Sequence, residues 1–104
     1  PRGAGGKVLL AWLSNEERKK IPEADAVPVG ELDKIRKQGY AISLGERDQG
    51  VSAISAPIFD ASGRILCALA VAGPIVRLSP EVLADMAPDV VATARKISTA
   101  LGHA

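Results

Sequence analysis

Few side chains in this 104-residue sequence stand where chemistry could begin. The run Gly3-Ala4-Gly5-Gly6-Lys7 superficially resembles a phosphate-binding loop, in which glycines let backbone amides close on an anion and a lysine adds charge. It fails as one: Val8 stands where Ser or Thr should hold magnesium, Pro1 stands where the first glycine belongs, and no strand precedes it. Two readings remain for it. It is a glycine turn before a buried helix, or the free amides of that helix accept the carboxylate of a small ligand, which needs no special motif. Cys67 lies mid-strand with no base beside it and reads as an inert buried thiol. His103 reads as a tail residue, and Glu46 and Asp48 as a solvated loop pair. No set of His, Cys and acids has metal-ligand spacing. The expectation is a protein that is not an enzyme and carries no metal and no cofactor.

The segment that must position any site is Val51 to Pro74, VSAISAPIFDASGRILCALAVAGP. It reads as two apolar strands folded back around Asp60-Ala61-Ser62-Gly63, too apolar to leave either face in water. Asp60 and Gly63 suit a four-residue loop on a type I turn, with Gly63 left-handed. That loop pairs Phe59 with Arg64, Ile58 with Ile65, Ala56 with Cys67 and Ile54 with Leu69, and on the other side Ser55 with Ala68, Ala53 with Ala70 and Val51 with Ala72. One face is then bulky and the other a floor of small side chains. A three-residue loop would mix the two classes, because a one-residue slip exchanges faces. The floor is either covered closely by a helix, with Trp12 filling the gap, or it is the base of an apolar pocket with a few polar groups such as Ser43 and Ser55.

Around the hairpin, Gly3 to Gly6 reads as a flexible approach to a buried helix from Lys7 to Leu13. Ser14 and Glu17 have capping-box spacing for a short helix over 15–21. A surface helix from Gly30 to Gln38 stops at Gly39, a strand runs from Tyr40 to Leu44, and Ser79-Pro80-Glu81 starts a last helix. Its apolar stripe is Leu83, Met86, Val90, Ala94, Ile97 and Leu101, with a kink or restart expected at Pro88. These elements make one α+β domain with a small antiparallel sheet.

Composition excludes several classes. Thirteen Lys and Arg against twelve Asp and Glu give a net charge of +1, without the basic bias of a nucleic-acid-gripping domain. No apolar run approaches the ~20 residues that span a bilayer. A single cysteine forbids an intrachain disulfide and fits a reducing, cytoplasmic compartment. The chain opens without an initiator Met and shows no signal peptide, so it is expected to be a piece of a longer product.

Taken in order, GAGGKVLLAWL, GYAISLGE at 39–46, GVSAISAPIFDASGRILCALAVAGP and the closing ARKISTALG resemble the effector-binding domain of IclR-type bacterial transcription regulators, over Gly3 to Gly102. The resemblance implies a GAF-like (profilin-like) antiparallel sheet flanked by helices. It makes residues 1–104 one partial effector-binding domain, lacking its N-terminal part. It also implies a small, often carboxylate-bearing effector, homodimers or tetramers, and DNA contact only through an absent upstream winged helix-turn-helix domain. The ligand contacts of the family would fall on Ala4, Gly5, Ser43, Val51, Ala53, Ala70 and Ala72. Polar residues often found in the family at four of these positions are here Ser43 and three alanines. That implies a wider, more apolar pocket for a bulkier, fairly apolar or aromatic acid. The alternatives are a GAF-like dimerisation module without ligand, in which side chains fill the floor, and, third, a small enzyme, which would need a polar cluster in the pocket.

Overall fold

Serines and glycines set the helix boundaries. In the computed structural model, which describes residues 3–22, 24–45 and 49–103, the first helix α1 runs Gly3–Trp12. It takes in the glycines that had been expected to form a flexible approach. The short helix α2, Asn15–Lys19, carries the capping box: the Glu17 amide donates to Ser14 Oγ at 3.1 Å, and the Ser14 amide donates to Glu17 Oε1 at 3.2 Å. A single 3-10 turn, Ala24–Ala26, leads to α3, Val29–Gln38. Gly39 ends α3 in the left-handed region, φ 89°, with its amide on the Ile35 carbonyl.

Strands β1 (Ala41–Leu44), β2 (Val51–Phe59) and β3 (Ile65–Pro74) form one antiparallel sheet in the order β1-β2-β3. The last helix α4, Pro80–Ala100, is capped by Ser79, whose Oγ accepts from the Val82 amide at 3.3 Å. It continues through Pro88 as one helix, so no restart occurs there. Pro88 is exposed, so its ring and the missing amide face water rather than the core.

The hairpin register differs from the expected one. The turn is a three-residue loop, with the Asp60 amide on the Arg64 carbonyl at 2.9 Å and the Gly63 amide on the Asp60 carbonyl at 3.0 Å. Phe59 therefore pairs with Ile65, not with Arg64. A bulge follows, which leaves Leu66 without a partner, and from there Ile58 pairs with Cys67, Ala56 with Leu69, Ile54 with Val71, Ser55 with Ala70, Ala53 with Ala72 and Val51 with Pro74. The short loop slips the register by one residue and the bulge by one more. Two slips restore the faces that one would have exchanged. The pairings Ala53–Ala70 and Val51–Ala72 are thus corrected, while the division into a bulky and a small-residue face stands.

Each face has its own cover. Ile54, Ala56 and Ile58 pack with Leu83, Ala87, Val90 and Ala94 of α4, joined by Leu69 and Val71. On the other face α1 presents Ala4, Val8 and Ala11, one helical stripe, to a cluster that includes Ala41, Ala53 and Ala68. Small residues on both sides let the helix lie close to the sheet. Lys7, 8% exposed, is held by an ion pair to Glu31 of α3 at 2.8 Å.

Candidate functional site

The sheet arranges the small side chains in rows. Ser43, Ala53 and Ala72 are consecutive cross-strand partners, and so are Ala41, Ser55 and Ala70. Cover falls off along both rows. Ala41, Ser43 and Ser55 are 1%, 4% and 0% exposed, Ala53 is half-buried, and Ala70 and Ala72 are exposed. The floor is therefore roofed by α1 over β1, β2 and the Ile65–Ala68 end of β3, and open over Ala70 and Ala72. Val51, 37% exposed, extends the open part.

The roof ends at the first turn of α1. Ala4 is buried, Gly5 is half-buried, and a Cβ placed on Gly5 would lie 4.0 Å from Ser55 Oγ, so this turn stands directly over the floor. Helix geometry leaves the first amides of α1 without intrahelical partners, and no acidic side chain occupies that turn. The result is a ledge: small, mostly apolar side chains below, and an electropositive helix end above one margin. Such a ledge can hold a carboxylate on amides and an apolar body on the alanines. Trp12, which the closely covered reading of the floor had filling the gap, sits at the far end of α1 and packs against the α1 core cluster. Its ring stands edge-on to Phe59, with centroids 5.9 Å apart.

Other expectations change. Cys67 is exposed rather than buried, because it lies on the edge strand where α4 does not cover it. His103 is not a free tail: its amide bonds the Ser98 carbonyl at 3.0 Å and its ring lies 5.3 Å from that of Phe59. Glu46 and Asp48 lie outside the described residues. Among the described residues no group of three or more His, Cys, Asp or Glu could hold a metal ion, and no helix is long and apolar enough to cross a membrane.

A concavity away from the ledge was not foreseen. A cleft of about 370 Å³ is bounded by Trp12, Arg36, Gly39, Phe59, Arg95 and His103, and by none of the seven expected contacts. Its origin is a mismatch of strand lengths. β2 has nine residues and β1 four, so Ala56–Phe59 run on beyond β1 with an open side. The four-residue run Ala41–Leu44 beside a nine-residue partner was the signal available in the sequence.

An antiparallel sheet with a helix layer on each face, one face lined by small residues beneath a helix N-terminus, defines an α+β domain of the GAF-like kind. The chain belongs to the IclR family: residues 2–99 match the sequence pattern described as the bacterial transcriptional regulator IclR C-terminal domain. It is 34% identical over 113 residues to the HTH-type transcriptional regulator KdgR of Escherichia coli strain K12, covering 94% of this chain and 42% of that protein. The solved C-terminal domain of E. coli KdgR superposes with a TM-score of 0.80 at 32% identity, over 97% of this chain and 70% of the other. The crystal structure of Pseudomonas aeruginosa HmgR gives 0.83 at 34% identity, over 97% and 44%. The chain thus spans less than half the length of the regulators it matches. The family is one of transcription regulators rather than enzymes, in agreement with the lack of any expected catalytic residue.

Proposed function

We propose that this chain is the effector-sensing part of a cytoplasmic transcription regulator, and that a small carboxylate-bearing, largely apolar or aromatic metabolite binds on the ledge. Ala4 and Gly5 offer backbone amides to the carboxylate. Ser43, Val51, Ala53, Ala70 and Ala72 line the space for the rest of the molecule. The observation that carries this reading is the first turn of α1, free of acids, standing over the edge of a small-residue floor. Residues 1–104 then form one part of an effector domain that works as a dimer or tetramer. A DNA-binding domain outside this chain reads the occupancy of the ledge, in keeping with relatives named as HTH-type regulators.

The test is a thermal-shift screen of carboxylic acids against the chain and its Ala70→Leu variant. Ala70 is exposed, so leucine there is compatible with folding while it fills the open part of the ledge. An acid at 100 times its dissociation constant stabilises the protein by about 2.7 kcal/mol. The expected outcome is stabilisation by at least one aromatic acid, abolished in Ala70→Leu. Equal stabilisation of both proteins would contradict the placement.

A further inference from the structure

The cleft at the open end of β2 gathers charges that folding does not use up. Three helices end there: Trp12 closes α1, Gly39 caps α3, and Ser98 and Thr99 lie in the last turn of α4. Helix carbonyl ends attract cations, which accounts for two of those present. Arg36 donates to the Ala11 carbonyl at 3.3 Å and is ion-paired with Asp33, and Lys37 lies in the last turn of α3. Arg95 has no such use. It lies more than a turn before the end of α4, and the residues three and four away on either side are Val91, Ala92, Ser98 and Thr99, so no acid pairs with it along the helix. Among the described residues neither Arg95 nor Lys37 makes a side-chain hydrogen bond or ion pair, and no Asp or Glu lines the cleft. Two unmatched cations therefore border one cavity in a chain whose net charge is only +1.

The rings gather there too. The chain has one Trp, one Tyr, one Phe and one His, and all but the Tyr line this cleft. Phe59 belongs to neither core cluster; its ring neighbours are Trp12 at 5.9 Å and His103 at 5.3 Å. All three are half-buried, so the row keeps surface for a further flat ring. A strand is a poor occupant. On the edge of β2 left open by β1, Pro57 has no amide and the Phe59 amide is bound to Ser98 Oγ at 2.9 Å, which leaves little to pair with. The volume of about 370 Å³ suits a small molecule instead.

We propose that this cleft is a binding site, separate from the ledge, for an aromatic phosphomonoester with the chemistry of a nucleoside monophosphate. Arg95 and Lys37 hold the phosphate, whose charge of about −1.5 to −2 at pH 7 matches two cations where a single carboxylate would not. The flat base lies against Trp12, Phe59 and His103.

The measurement is a titration of the chain with adenosine monophosphate, followed by the emission of Trp12, its only tryptophan. A saturable change is expected, with adenosine and inorganic phosphate each binding at least about tenfold more weakly, because each lacks one set of contacts. Arg95→Gln and Lys37→Gln should each weaken the nucleotide about tenfold, the effect of one lost charge-assisted bond. Both residues are exposed, so both variants keep the fold. Amide shifts on binding should centre on Arg36, Phe59 and Arg95, with Ala53 and Ala70 unmoved. The proposal is overturned by the absence of a saturable change, by adenosine or phosphate binding as tightly as the nucleotide, by unaltered binding in either variant, or by shifts centred on Ala53 and Ala70. None of these results would remove the ledge as a site.

Discussion

At the scale of single residues the hairpin turn shows how much one carboxylate organises. Asp60 Oδ1 accepts from the Ser62 amide at 2.9 Å, the Ser62 hydroxyl at 2.6 Å and the Arg64 amide at 3.2 Å. These bonds, the Ser62 hydroxyl first, hold its carboxyl below the usual range against a smaller opposing effect of desolvation. A carboxylate lowered in the folded state stabilises above its unfolded value of about 3.9, and that stabilisation is lost as pH falls through the lower folded value. NMR titration should therefore place the Asp60 midpoint below ~3.9, with the Ser62 amide moving in step. A midpoint at or above that value would contradict the geometry. Ser14, Gly39, Gly63 and Ser79 were all legible in the sequence, because a cap or a turn acts over three or four residues. Cys67 and His103 were not, because their surroundings depend on which distant element covers them.

Among the elements, the hairpin and α4 carry the lesson. The small-residue face was readable from alternation along Val51–Phe59 and Ile65–Pro74, and it survived an error of two residues in register. What could not be read was the bulge at Leu66, which combines with a three-residue loop to restore the faces. A bulge leaves no periodic mark until the partner strand is known. In α4 the stripe Leu83, Val90 and Ala94 is buried as expected, Met86 and Ile97 are half-buried against the same core, Ala87 and Ser98 complete it, and Leu101 is exposed. Pro88 sits on the far side, and the helix forms in spite of it. Pro88→Ala should restore a hydrogen bond to the Ala84 carbonyl and raise unfolding free energy by about 1–3 kcal/mol in urea titration. A loss of stability would mean that Pro88 makes a contact the helix needs.

For the whole molecule, the design is a sheet roofed unequally on one face. α4 covers the bulky side, while α1 covers the small-residue side over β1, β2 and the first part of β3 and leaves Ala70 and Ala72 in the open. That asymmetry was not legible, since it depends on where α1 begins, and the glycines read as a linker are its first turn. It also separates the ledge from the cleft between Trp12 and Arg95. The most direct test of the account is to map a bound aromatic acid by amide chemical shifts on the isotope-labelled chain. The amides of Ala4, Gly5, Ala53, Ala70 and Ala72 should move together and saturate with one dissociation constant, while Arg36, Phe59 and Arg95 stay still. Shifts centred on Arg36, Phe59 and Arg95 instead would contradict the ledge as the site of ligand recognition.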